Sequence, residues 1–558
     1  MNSFDLFGNP EGRRTLPNSD PGNRLSYSED ITPMGEEIED GSTPKRRFLG
    51  IGIVLGASIS ILALQAYHLQ VSNAGINRSL AEGNSVRLLT VPSDRGLIVD
   101  ANGEILAQNS RKLALAINPQ TLPTRKKDRE TVYALLKEKA ELTDEDITYI
   151  EEFRSKSPEP FAVKTNLTKD ESLLYREWFS DTQGVILQEL PVRRYIDIPS
   201  LGHLIGYMGR PDQQAVDSGV SPNTRVGRAG LEKQYNDILS GKPGVQHAEV
   251  NASGEVVRLV PDSANSEPKT GDTLKLSIDA KLQKVVSDAL IHELERRKKK
   301  FGDLPKLGAS AVVIEPQTGA IKAMVSLPDY GASLFAEGIA KDEYQKLLDN
   351  PANPLLNRAM QGTYAPGSTI KPFVASAGLQ TGIIKQDTSF YTPAAITIGS
   401  FSFPDWKLHG QTNTRQAIAE SNNIFFYALG GGWEERNMKG LGIDRLAEYY
   451  QKFGFGAKTG IDIPGEASGL VPTPAWKKEV IKDNWYIGDT YQASIGQGFV
   501  LATPLQLASA TASIANGGTL WKPTLAWSHV DPVTNEEIPF PRTPLAQGFV
   551  DPAHLQVV

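Results

Sequence analysis

A serine followed three residues later by a lysine can act as an acyl-transfer nucleophile when both occupy one face of a helix. A free serine hydroxyl is a weak nucleophile at neutral pH, so an adjacent base must take its proton. A lysine does this only when burial or a neighbouring positive charge lowers its pKa. The pattern occurs at Ser42…Lys45, Ser266…Lys269 and Ser368-Thr369-Ile370-Lys371. About two such matches arise by chance in a chain this long. The first lies in a polar N-terminal segment, and the second holds a proline in a turn-rich stretch. The third follows the turn Tyr364-Ala365-Pro366-Gly367 and opens an apolar helix. Pro372 fits there because first-turn N–H groups lack helical partners. The i, i+3 spacing turns Lys371 toward Ser368, and the helix N-terminus favours a developing oxyanion. Without this context the match would read as a serine capping a surface helix beside a solvated lysine.

Ser421-Asn422-Asn423 is the second constellation. Ser-x-Asn also occurs at Ser221…Asn223 and Ser263…Asn265, so the triplet is weak alone. Here Ala419-Glu420 precede it and Ile424-Phe425-Phe426-Tyr427 follow, which places it beside buried surface within an expected helix Thr414–Leu429. A hydroxyl and an amide at that spacing can complete a proton relay and hold a substrate amide. The plainer reading is a polar pair on a helix surface.

Several elements must position these groups. From Thr273 the pattern predicts a strand (Leu274–Ile278), a helix (Ala280–Arg297) and a hairpin of Ser310–Ile314 with Ala320–Val325 around Pro316-Gln317-Thr318-Gly319. Helices are expected at Thr369–Leu379, Ile443–Phe453 and Pro504–Asn516. Helices around an antiparallel sheet imply an α+β domain over residues 271–558. Residues 72–270 read as a separate mixed region. It has short strands (Arg87–Val91, Leu113–Ile117, Val185–Gln188), a charged helix (Arg129–Lys139) and a hairpin turn at Asn102-Gly103. Turn residues at 260–273 mark the boundary. Gly227-Arg228-Ala229-Gly230 lacks the Gly-Lys-Ser/Thr ending of a phosphate loop.

No Asp, Glu, Lys or Arg lies between Arg47 and Arg78. Residues 48–71 are therefore expected to form a single transmembrane helix. Lys45-Arg46-Arg47 puts residues 1–47, a disordered acidic tail, in the cytoplasm and the rest outside. A cleaved signal peptide fits less well, because the leading segment is long and no clear cleavage site follows. Gly52, Gly56 and Ser60 form a small-residue stripe that suits a partner helix. A net charge of -7 argues against a nucleic-acid surface. The absence of cysteine excludes disulfides, thiolate zinc sites and cysteine nucleophiles.

With both motifs in place, the chain resembles the class B penicillin-binding proteins from the anchor onward. Tyr364–Pro372 resembles their nucleophile motif and Ser421-Asn422-Asn423 their Ser-x-Asn motif. Asp94-Arg95-Gly96, Gly227–Glu232, Asn357-Arg358-Ala359, Ile495–Gly498 and Thr503-Pro504 also match. Leu355–Gln361 and Asp405-Trp406…His409-Gly410 look most like the elongation type. The resemblance implies a pedestal over residues 72–270, a transpeptidase domain over 271–558, and an enzyme of the bacterial inner membrane active on the periplasmic side. Ser368 would attack the penultimate D-alanine carbonyl of a stem peptide. Lys371 would be the base, Ser421 a proton relay and Asn423 a peptide-holding group. β-Lactams would acylate Ser368, and a polytopic membrane glycosyltransferase would be the partner. No cofactor is implied.

The family's third motif, Lys-Thr/Ser-Gly, belongs on a central strand downstream of the Thr-Pro helix. Lys458-Thr459-Gly460 precedes that helix and belongs to a different family landmark, running into Ile461–Gly465. The strand is expected beyond Val558, so the domain reads as C-terminally incomplete. Some elongation-type relatives carry a zinc-like site, and Asp387, Asp405 and His409 are weak candidates for part of one, a buried polar network being the plainer reading. Two other classes compete with the cross-linking enzyme. A β-lactam hydrolase or sensor would need no long pedestal. A non-catalytic scaffold that activates a membrane polymerase would show no penicillin labelling.

Overall fold

The computed structural model describes residues 45–72, 86–91, 93–154, 160–165, 167–212, 214, 224–250, 256–261, 265–302, 304, 306–336 and 338–558. The expected tail, residues 1–47, lies outside them except for its last three residues, as does Ser221…Asn223.

The first unit, residues 1–82, carries the helix Lys45–Tyr67, extended by a π-helical turn His68–Ser72. Ile51–Val71 is long and apolar enough to cross a bilayer. Its large side chains, Val54, Leu62 and Leu64 among them, are exposed.

The second unit, residues 83–558, contains a seven-stranded mixed sheet beside smaller ones. Strand Ile105–Ile117 pairs antiparallel with Val185–Tyr195 from Ala107↔Tyr195 to Ile117↔Val185. Ile98–Val99 folds back on it through the predicted turn at Asn102-Gly103, where Gly103 adopts φ +86°. Helices Lys126–Ala140, Asp144–Phe153 and Lys169–Phe179 cover one end of this sheet. Their Leu136, Ile150, Tyr175 and Phe179 pack on Leu115, Ile117 and Val185. The last two helices start in capping boxes, Thr143 with Asp146 and Thr168 with Glu171.

The sheet continues across the turn-rich stretch at 260–273. Strand Thr273–Leu276 runs parallel to Ile98–Val99 and antiparallel to Ala526–Val530. The predicted hairpin forms as Ala309–Ile314 with Ile321–Leu327. Helix Ala280–Phe301 is fastened to it by the buried Gln283, whose amide donates to the Met324 carbonyl (2.9 Å) and accepts from the Met324 N–H (2.8 Å). One side chain thus satisfies two buried backbone groups of a strand.

A second core surrounds helices Lys371–Gln380 and Asn423–Gly431. Phe373 packs on Phe453 and Phe455 with ring centroids 5.0 and 5.1 Å apart. Each such fully buried ring contributes about 1.5–3 kcal/mol through burial alone. The expected helix Thr414–Leu429 is corrected to two helices, Thr414–Ala419 and Asn423–Gly431. Ser421 breaks the run with φ +54°, a left-handed conformation that α-helices exclude. Asn422 then caps the second helix, its side-chain oxygen accepting the Phe425 N–H at 2.8 Å.

Candidate active site

Ser368 sits in a 3₁₀ turn, Gly367–Ile370, that leads directly into the helix beginning at Lys371. The Lys371 N–H donates to the Ser368 carbonyl. Gly367 has φ +57°, and its N–H donates to the Gly496 carbonyl at 2.8 Å. A Cβ on Gly496 would stand 2.2 Å from the Gly367 oxygen, so only glycine lets the 495–498 loop buttress the turn. A reciprocal backbone pair between Tyr364 and Ala502, 2.9 Å each way, holds the entry to the turn. The Ser368 side chain is exposed at this rim.

Lys371 is 1% exposed, and its Nζ has three partners. It donates to the Ser421 carbonyl (2.8 Å), the Ser421 Oγ (3.1 Å) and the Asn423 Oδ1 (2.7 Å). The Phe426 ring lies 5.5 Å away. Burial lowers the Lys371 pKa to about 8, opposed by the Asp405 carboxylate. The fold thus brings Lys371, Ser421 and Asn423 into one cluster, with the exposed Ser368 a single helical turn away. Asn422 faces the other way. Its Nδ2 donates to Thr392 Oγ1 (2.9 Å) and Thr412 Oγ1 (3.3 Å), fixing the break that exposes Ser421 and Asn423 to Lys371.

The segment Asp405–His409 supports this cluster from behind. Asp405 Oδ2 accepts from the Asn423 N–H (2.9 Å) and the Ile424 N–H (3.2 Å), and Oδ1 from the Trp406 N–H (2.8 Å). Trp406 Nε1 donates to the Ser421 carbonyl at 3.3 Å. His409 lies with Nε2 3.6 Å from Asp405 and Nδ1 3.1 Å from Glu420. Of the metal candidates Asp387, Asp405 and His409, the last two are neighbours. Both Asp405 oxygens are occupied by N–H donors. Among the described residues, no group of three His, Cys, Asp or Glu is arranged to hold an ion.

Lys458-Thr459-Gly460 forms a loop, not a strand. Glu466 accepts from the Thr459 N–H (2.7 Å), the Thr459 hydroxyl (2.6 Å) and the Gly460 N–H (2.9 Å), closing a turn on itself. The sequence singled out Asp405 and Trp406 within one segment, but did not pair them with Ser421 and Asn423. The available signal was a carboxylate followed by an aromatic, but their partners lie 15 to 19 residues on.

Residues 309–548 match the penicillin binding protein transpeptidase domain, and residues 90–276 match the penicillin-binding protein dimerisation domain. The chain is 35% identical over 487 residues to the peptidoglycan D,D-transpeptidase MrdA of Acinetobacter baumannii, covering 85% of this chain and 68% of that one. It is 32% identical over 495 residues to MrdA of Escherichia coli K12, covering 86% and 73%. Among solved structures it is similar to PBP2 of Helicobacter pylori in complex with MreC, with a TM-score of 0.68 and 28% identity over 85% of this chain and 83% of that one. A chain of a peptidoglycan synthase complex that coordinates polymerization and crosslinking gives a TM-score of 0.63 and 29% identity, covering 92% and 83%. A buried lysine held by a Ser-x-Asn turn beside an exposed serine thus lies within the transpeptidase match, and the chain belongs to the class B penicillin-binding proteins, in their elongation-type, PBP2 branch of peptidoglycan D,D-transpeptidases.

Proposed function

We propose that the chain cross-links peptidoglycan stem peptides through an acyl-enzyme on Ser368. The observation that carries this is the Lys371 ammonium site, 2.7–3.1 Å from Asn423 and Ser421 and one helical turn from the exposed Ser368. Neutral Lys371 takes the Ser368 proton as Oγ attacks the penultimate D-alanine carbonyl, and the Ser368 N–H serves as one oxyanion donor. Ser421 relays the proton toward the leaving D-alanine, and Asn423 holds the peptide. The amine of a second stem peptide then displaces Ser368 and forms the cross-link. A β-lactam follows the first half of this path and stops at the acyl-enzyme.

The charge pattern around Lys45-Arg46-Arg47 supports a single-pass anchor in the inner membrane with residues 72–558 outside it. The similarity to a chain of a peptidoglycan synthase complex that coordinates polymerization and crosslinking supports a membrane glycan polymerase as partner, met by the anchor and residues 72–270. Labelling with a fluorescent penicillin tests the nucleophile. Wild type is expected to label and Ser368→Ala to lose the label. A label that persists on Ser368→Ala refutes the assignment.

A further inference from the structure

We propose that Asp405 is a positioning residue for this reaction: its buried carboxylate seats the N-terminus of the helix carrying Asn423 and so fixes the Ser421–Asn423 pair against Lys371. The inference rests on the proposed roles of Lys371, Ser421 and Asn423.

The geometry argues for it in three steps. The Asp405 side chain is fully buried, so its charge must be matched by hydrogen bonds. Two of those bonds come from Asn423 and Ile424, the first two residues of the helix, whose N–H groups have no helical partner. Asn423 therefore has its backbone held by Asp405 and its side chain held by Lys371, at 2.9 and 2.7 Å. The neighbouring Trp406 indole donates to the Ser421 carbonyl, the atom that also accepts from Lys371. This matters because Ser421 stands in a left-handed conformation that only its surroundings maintain.

The charges around the site are few. Asp405 is the carboxylate that acts on Lys371. His409 stands 3.6 Å behind Asp405, and Glu420 pairs with Lys407 at 2.8 Å on its far side. Removing the Asp405 charge should have two separable effects. The cluster loosens, which slows acylation at every pH. Lys371 also loses the charge that favours its protonated form, so the acid limb of acylation moves to lower pH.

The test uses the full-length chain with Asp405→Ala and Asp405→Asn. Amide hydrogen exchange is followed over residues 420–431, and fluorescent-penicillin acylation is followed against pH. Asp405→Ala should speed exchange at Asn423 and Ile424 and slow acylation about 10- to 100-fold, the cost of a misplaced catalytic group. Asp405→Asn keeps an acceptor in the same place and should recover part of the rate, with its acid limb still shifted to lower pH. Unchanged exchange in Asp405→Ala overturns the proposal. So does faster exchange with a wild-type rate and an unmoved acid limb. A label that persists on Ser368→Ala refutes the nucleophile while leaving the exchange result to judge whether Asp405 seats the helix.

Discussion

The Tyr235 hydroxyl donates to Asp462 Oδ2 at 2.9 Å, joining residues 227 positions apart. The same carboxylate accepts the Leu525 and Ala526 N–H groups at 2.7 Å each and the Thr524 hydroxyl at 3.2 Å. Tyr235 belongs to the segment matched as the dimerisation domain, and the other residues to the transpeptidase match. One buried carboxylate therefore ties both segments to strand Ala526–Val530 of the shared sheet.

Tyr235→Phe should cost about 1 kcal/mol, because Asp462 keeps three other donors. Asp462→Ala should cost several times more. It strands two buried backbone N–H groups, each worth about 1–3 kcal/mol when left unpaired. Denaturation midpoints of the two variants should differ accordingly. Equal losses would show that the inter-segment bond, and not the backbone capping, carries the effect.

Glu232 makes a second buried knot, within the segment matched as the dimerisation domain. It is fully buried and accepts from Arg95 Nε at 2.6 Å and Arg193 Nε at 2.8 Å. The Arg95 Nη2 also donates to the Glu232 carbonyl at 2.9 Å. Glu232→Gln leaves two buried guanidinium groups without a counter-charge, and the loss expected is about 3–5 kcal/mol. Replacing only one arginine should cost less, since Glu232 then retains one partner. Urea unfolding of the three variants checks this order.

Much of this was legible in the sequence, for local reasons. The Tyr364–Pro372 stretch announces a turn and a helix start through Pro366, Gly367 and Pro372, and the structure has both. The strands at 105–117 and 185–195 and the helix at 280–301 were visible in part, because propensity and tertiary packing agree there. The break at Ser421 was not visible. The apolar run through Phe425 and Phe426 reads as helix, whereas the interruption depends on Thr392 and Thr412, distant partners of Asn422. Glu232 stood out only as part of a family signature. Its two arginines lie 137 and 39 residues away, and no local pattern pairs them.

His203 supplies a pH prediction for stability. Burial, reinforced by the nearby Arg358 charge, lowers its pKa to about 4, against a hydrogen bond to Pro354 that raises it. The ring packs edge-on against Tyr330 at 4.8 Å. An unfolded histidine titrates near 6.5, so between pH 6.5 and 4 the unfolded chain binds more protons than the folded one. Stability therefore falls as pH falls through that window, by about 3 kcal/mol from this residue. His203→Phe keeps the aromatic contact and removes the titration. Its melting temperature should vary less between pH 4 and 6.5 than that of wild type.

Lys371 gives a pH dependence of the same sign, in rate and at higher pH. Its amine must be neutral to accept the Ser368 proton, and burial sets its pKa at about 8. Below that value each pH unit lowers the neutral fraction about tenfold, and above it the fraction saturates. Acylation by a fluorescent penicillin should rise through pH 7 to 9 and then level. Lys371→Arg keeps a donor but holds its charge throughout, so it should lose about 10²–10⁴-fold in rate at every pH. Ser421→Ala removes the 3.1 Å hydroxyl contact and keeps the 2.8 Å carbonyl contact. It should therefore slow acylation without moving the rise near pH 8. A rise that survives in Lys371→Arg would mean that another group supplies the base.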